Sequence, residues 1–383
     1  MNKIRVLCVT DYYLPGNKAG GPIRTIANMS DILAGEVEFG IVTRDRDLGD
    51  DAPFHGIRVN EWQEVGSAQV FYASPESFGA SAVERTFDNH DMLYLNSFFS
   101  YRGSICPNFK FRNRVKILIA PRGEFSQGAL ALKSLKKRAF LKLAKLTGLY
   151  RDVHWHASSA MEAEDIARIF PGAKEKTHLA IDPVIVGEAV PVPSLPEISA
   201  ELKIVFISRI SPMKNLDGLI DLLTEIDEPV LLTIFGPIED NEYWHLCQRK
   251  IANLPNNVQT IYSGTLRPDD VSLKFAEHDL FAFPTHGENF GHVIFESLRA
   301  GTPVLLSDQT PWVADATGAV TVAPLNSPDI WRAEIRKAAH RTSKESQNIR
   351  MSSLAYARSH AENDETRFDN LRMFLSIAER LDT

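Results

Sequence analysis

In the stretch GENFGHVIFE, Glu288 and Glu296 stand with seven residues between them and Gly291 near the middle. Carboxylates spaced in this way are set along one ligand rather than stacked to share a proton. Each accepts two hydroxyl hydrogen bonds, so one can hold a sugar ring and the other a ribose. The segment from Phe290 to Ala300 has helical composition, so the backbone N–H groups of Asn289, Phe290 and Gly291 are expected at a helix start, which attracts anions. Glu296 then falls roughly one and a half turns into the helix. A second group lies in SRISPMK, where Arg209 and Lys214 stand between a strand-like run and a helical one. Two cations at such a crossing suit a diphosphate. Read singly, these residues also fit a solvated helix face, a surface lysine and a structural ion pair.

The elements that must position them follow from the apolar pattern. Runs of four to seven apolar residues alternate with segments of helical period: IRVLCVT, VEFGIVT, DMLYLNS, VKILIA and VHWHAS, with helical stretches that include IRTIANMSDILA and ALALKSLKKRAFLKLAKL. That alternation predicts parallel sheets covered by helices. It restarts after a proline-rich segment with KIVFIS, VLLTIFG, NVQTIYSG, LFAFPT and TPVLLS. The reading is therefore α/β, with a first doubly wound domain over residues 1–187, a linker over 188–199, a second domain over 200–362 and an amphipathic helix over 363–383. LFAFPT is a buried strand in this scheme, and GENFG is the turn at its carboxyl end, where ligands of such sheets bind.

Bulk properties narrow the classes. A chain of 383 residues suits two domains. A balance of 42 basic and 49 acidic residues, net −7, gives no global attraction to nucleic acid. Cys8, Cys106 and Cys247 lie far apart, which argues against a disulfide framework or a zinc site. With no signal-peptide pattern and no apolar run long enough to span a bilayer, the expectation is a cytoplasmic protein. The lack of Gly-x-Gly-x-x-Gly after the first strand argues against a dinucleotide oxidoreductase.

In combination, SRISPMK, ENFGHVIFE and AGTPVLLSD resemble the nucleotide-sugar glycosyltransferases of the GT-B fold, and among them glycosyltransferase family 4 of the bacterial polysaccharide-assembly type. DYYLPGNKAGGPIRTIANM, TRDRDLGD, APRGEFSQGALALKSLKKR and WHASSAMEAEDIARIFP have counterparts there, so the resemblance extends over nearly the whole chain. It implies two Rossmann-like domains facing a cleft, with the C-terminal helix packing back on the first. It implies Arg209 and Lys214 on the donor diphosphate and Glu288 on the donor sugar. Asn289, Phe290 and Gly291 would line sugar and phosphate, Glu296 would hold the ribose, and Leu266 would sit near the base. Gly20 and Gly21 would form the loop that faces the phosphates. The implied reaction is sugar transfer with retention from a nucleoside diphosphate sugar to a saccharide or lipid-linked acceptor, without cofactor or metal. A sugar-nucleotide epimerase or hydrolase on this fold, and a non-catalytic sugar-nucleotide-binding subunit, are the alternatives.

This chain departs from the pattern in two places. Ser208 replaces a glycine before Arg209, and APRGEF stands where many members carry a histidine. Arg122 and Glu124 thereby become candidates for acceptor or sugar contact. His154 and His156 alternate on a strand, where they could line the cleft but read rather as core or supporting histidines, and His286 and His292 flank the glutamate turn as cleft neighbours. Asp45 and Asp47 form an Asp-x-Asp that could hold a metal in another architecture, but only one βα unit precedes them, so RDRDLGDD reads as a solvated loop. The basic run from Lys133 to Arg151 reads as a solvated helix face, with docking on anionic lipid as the alternative.

Overall fold

The computed structural model describes residues 3–131, 134–185 and 201–378. The segment 188–199, read as a linker, lies outside the described residues, as does Lys133. The chain divides into two compact units. One comprises Met1–Val184 with Asn363–Thr383, and the other comprises Ile185–Glu362.

The first unit is built on β1 (Ile4–Val9), β2 (Val37–Arg44), β3 (Trp62–Val65), β4 (Ala68–Ala73), β5 (Met92–Asn96), β6 (Lys116–Ala120), β7 (His154–Ala157) and β8 (Thr177–Leu179). Their order in the sheet is β3-β4-β2-β1-β5-β6-β7-β8. All pairings are parallel except β3 with β4. This hairpin went unread because WQEV carries no strong apolar alternation. The helices are α1 (Gly21–Ile32), α2 (Ala80–Thr86), α3 (Cys106–Phe111), α4 (Gln127–Ala131), α5 (Ser134–Leu146) and α6 (Ala160–Ile169). α4 and α5 fall within the stretch expected to be helical, and residues 132 and 133 between them lie outside the described residues.

The second unit holds β9 (Leu202–Ile207), β10 (Val230–Phe235), β11 (Val258–Tyr262), β12 (Leu280–Phe283), β13 (Val304–Ser307) and β14 (Val320–Ala323). Its order is β11-β10-β9-β12-β13-β14, and all its pairings are parallel. Helices α7 (Leu216–Leu223), α8 (Asn241–Ile251), α9 (Pro268–Ala276), α10 (His292–Arg299), α11 (Pro328–Ala339) and α12 (Ser343–Ala361) cover it. The central strands are apolar and buried on both faces, as parallel strands under two helix layers must be. Strand order reverses between β9 and β12, so their carboxyl-end loops diverge and leave a crevice.

The last helix, α13 (Asp364–Ala378), belongs to the first unit. Met373, Phe374 and Ile377 are buried in that unit's core, where the Phe374 ring meets Phe39 and Tyr94 edge-on at 5.6 and 5.7 Å. Asn370 donates to the Ile181 carbonyl at 2.8 Å and fixes the helix against the end of the sheet.

Candidate donor-binding site

The crevice of the second unit is formed by loops that must approach closely. Gly236, just past β10, has φ of 137°, and a Cβ there would lie 1.8 Å from the Ser208 carbonyl oxygen. Only glycine allows this contact. Gly236 donates to the Gly264 carbonyl at 2.8 Å and accepts from the Tyr262 hydroxyl at 3.0 Å. The loops after β9, β10 and β11 are thereby joined. Leu266 lies partly buried on the third of them. Arg209 stands on the first, exposed, with Glu239 of the second loop 3.1 Å from its guanidinium.

Lys214 is more enclosed. It ends a short 3-10 turn, Pro212–Lys214, and the following Asn215 takes a left-handed conformation. The Asn215 amide donates to the Pro284 carbonyl at 2.8 Å, while the Thr285 hydroxyl and the His286 N–H both donate to the Met213 carbonyl. The loop after β9 is therefore fastened to the loop after β12. Across that seam the Lys214 ammonium pairs with the Glu288 carboxylate, their side chains 11% and 13% exposed. Phe283 places its ring 5.7 Å from the same ammonium. A cation and a carboxylate so held present preset partners for phosphate oxygens and for sugar hydroxyls.

Beyond Glu288 the turn is supported from behind. The Phe290 carbonyl accepts from the Trp312 indole at 2.6 Å, and Trp312 in turn stacks on His360 of α12 with centroids 4.9 Å apart. Gly291 caps α10, which begins at His292 rather than at Phe290. The Asn289 side-chain oxygen is buried and has no hydrogen-bond partner among the described residues. Glu296 sits half-buried on α10. His292 is buried against the Phe290 ring, whereas His286 is exposed. Gly236, Glu239 and the buttressing role of Trp312 were not read from sequence, although a Gly-Pro directly after the apolar run VLLTIF marks the close turn.

In the first unit, Gly20 has φ of 78° and precedes α1, whose first residue is Gly21. The loop before them is held by Asp47, whose carboxylate accepts from the N–H groups of Asn17, Lys18 and Leu48 at 2.8, 3.2 and 2.8 Å. The expected solvated Asp-x-Asp loop is thus corrected. Asp45 is 3% and Asp47 6% exposed, because one pairs with Arg46 and the other serves as an acceptor for a turn. Among the described residues no three His, Cys, Asp or Glu side chains gather as a metal site.

Arg122 and Glu124 are likewise committed inside their unit. Arg122 donates to Asp182 at 2.6 Å, to the Tyr94 hydroxyl at 2.7 Å and to Asn96 at 2.7 Å. Asp182 also accepts from Thr25 of α1. Since the Ala180 carbonyl can only accept, His156 carries its proton on Nε2, and its bare Nδ1 accepts from Tyr94 at 2.6 Å. Burial, then the Arg122 charge, lowers the His156 pKa to about 4. Glu124 accepts from Ser97, Phe98 and Phe99, and burial pushes its carboxyl above the usual range. His154 meets His178 at 3.1 Å within the sheet. The two histidines are buried core residues, as expected from the sequence, and Arg122 and Glu124, candidates for acceptor or sugar contact, join a polar core that fixes the loops after β5 and β6.

The whole chain superposes on solved structures of one architecture. A protein of Anabaena, Alr3699/HepE, in complex with UDP and glucose aligns over 99% of both chains with TM-score 0.67 and 17% identity. Trehalose-6-phosphate synthase OtsA aligns over 96% of this chain and 98% of its own, with TM-score 0.70 and 10% identity. The fold is GT-B. Within this GT-B chain, residues 193–350 match the family model of glycosyl transferases group 1. A stretch of 109 residues is 30% identical to alpha-monoglucosyldiacylglycerol synthase of Streptococcus pneumoniae, spanning 27% of this chain and 24% of that protein. Sulfoquinovosyl transferase SQD2 of Arabidopsis thaliana is 26% identical over 102 residues, 18% of its length.

Proposed function

We propose that this GT-B protein is a retaining glycosyltransferase of family 4 that moves a sugar from a nucleoside diphosphate sugar to a saccharide or lipid-linked acceptor in cell-surface glycan synthesis. The observation that carries the reading is the Lys214–Glu288 pair at the strand-order reversal of a unit that matches glycosyl transferases group 1. Arg209 and Lys214 bind the diphosphate and take up charge as it leaves, Glu288 holds donor hydroxyls, and Glu296 holds the ribose. Leu266 covers the base, and the turn Asn289–Phe290–Gly291 lines sugar and phosphate. The bond from the anomeric carbon to the phosphate oxygen breaks while the acceptor oxygen bonds that carbon on the same face. The acceptor proton passes to the departing diphosphate. Fixed cations aimed at the developing charge are the main source of acceleration in this scheme.

UDP is the first donor base to test, since the Anabaena protein of this fold holds UDP and glucose. Purified protein is screened for thermal stabilisation by UDP, GDP, ADP and their sugars, because a ligand of the folded state alone raises its stability. Products are then resolved with and without added acceptor. Stabilisation by one nucleoside diphosphate and acceptor-dependent glycoside formation are expected. Free sugar or an epimerised donor as the sole product, whatever the acceptor, would refute transfer.

A further inference from the structure

The second unit contains a cavity of about 550 Å³ that is lined by none of Arg209, Lys214, Glu288 and Glu296. It reaches the start of β9 at Leu202 and Lys203, the opposite end of that strand from the loop bearing Lys214. Arg341 and the first turn of α12, with Ser343 and Ser346, contribute another wall. The volume suits a small ligand.

The cations along it divide into two kinds. Arg350 donates to the Ala276 carbonyl at 3.0 Å and to the His278 carbonyl, and Lys274 pairs with Glu277 at 2.8 Å. Both are spent on the fold. Lys203 and Arg341 are different, for among the described residues neither side chain has an ion-pair or hydrogen-bond partner, and the Arg341 Nε is buried unbonded. The carboxylates whose charge reaches Arg341 are engaged elsewhere. Glu334 pairs with Lys337, Asp279 takes the Lys203 N–H, and Glu345 closes the cap of α12 at Thr342. Burial pulls the Arg341 guanidinium below its ordinary pKa. A buried guanidinium N–H without an acceptor is costly, and an anion placing an oxygen on it would relieve that cost.

We propose that this cavity is a second ligand site, taking a small molecule that bears a phosphate monoester, held by Lys203 and Arg341 and by the hydroxyls of Ser343 and Ser346. It is independent of the donor crevice. The test uses the full chain, inorganic phosphate as the probe and the unfolding midpoint as the readout. Lys214→Ala serves as a background in which the crevice has lost its cation. Phosphate should raise the midpoint in wild type and in Lys214→Ala alike, and Arg341→Gln or Lys203→Gln should weaken the apparent affinity at least about tenfold. If Arg341→Gln fails to fold, Lys203→Gln, at a partly exposed position, still decides. A response lost in Lys214→Ala but kept in the cavity variants would place the anion in the crevice and overturn the proposal. Absence of any response in wild type would overturn it equally, while donor binding, measured with nucleoside diphosphates, stands or falls separately.

Discussion

The Lys214 ammonium and the Glu288 carboxylate, 74 residues apart in the chain, meet where the loops after β9 and β12 are fastened together. Each keeps the other's charge compensated in a nearly closed setting. Removing one strands the other, so Lys214→Ala and Glu288→Ala should each destabilise the unit by about 2 kcal/mol, and the double variant by less than the sum. For transfer, each single change should lower kcat/KM by roughly 10²–10³. Urea unfolding and initial rates across the four proteins measure both. Strictly additive losses would show that the pair does not act as a unit.

Gly236→Ala should be far more damaging than its size suggests. The added carbon would fall on the Ser208 carbonyl, and backbone cannot yield as a flexible side chain does. A loss of about 4 kcal/mol or more is expected from such a clash at a special backbone conformation. Near-normal unfolding midpoints for this variant would mean that the three loops are not fixed as described.

Asp47 acts on the loop before Gly20. In Asp47→Ala the N–H groups of Asn17 and Lys18 lose their acceptor, so their hydrogen exchange should accelerate at least about tenfold, with β1 unaffected. Unchanged protection of both amides would refute the holding role.

Acid should weaken the first unit through His156. Its folded pKa of about 4 lies below the free value near 6.5, so between these limits the unfolded chain binds more protons and stability falls as pH falls. From pH 6.5 to pH 5 the loss should be about 2 kcal/mol. Glu124 and Glu162, raised by burial, act with the opposite sign, so the contribution is isolated by comparing wild type with His156→Gln. The variant should show a shallower acid slope in chemical unfolding, and equal slopes would contradict the assignment.

The basic helix α5 exposes Leu135 at 82% and Leu146 at 78%, among exposed Lys136, Arg138, Lys142 and Lys145. Lys137 is not part of that face, since it donates to the Ala129 carbonyl and lies over the Phe99 ring. Apolar tips between cations suit an anionic lipid surface, where each cation contributes about 1 kcal/mol. Replacing Lys136, Arg138 and Lys142 with glutamine should reduce partitioning to anionic vesicles roughly a hundredfold at low salt. Equal flotation of both proteins would assign the helix to solvent.

What the sequence reveals here depends on range. Apolar runs such as IVFI and LFAF declare buried strands through local pattern, and GENFG between strand and helix declares a turn at a ligand-binding edge. Long-range polar pairing leaves no such trace. Nothing near Asp47 says that its acceptors face Asn17 and Lys18, and nothing in APRGEF says that Arg122 turns inward to Asp182 rather than outward. A charged residue in a polar run looks solvated until its distant partner is known, which is why Asp45 and Asp47 read as solvated and the direction of Arg122 stays open in the sequence, whereas Lys214 and Glu288 each stand next to a strand end that the apolar pattern marks.

The return of α13 to the first unit bears on how the protein is made. Its β1 leaves the ribosome before any strand of the second unit, yet the core around Phe39 and Tyr94 is not complete until Met373, Phe374 and Ile377 have also emerged. The second unit, continuous in sequence, has all its strands in hand well before that. The unit that starts first therefore finishes last, and while it waits it exposes an apolar sheet face. Nascent chains stalled before residue 364 should bind holdase chaperones through the first unit, and release should coincide with the arrival of the final helix.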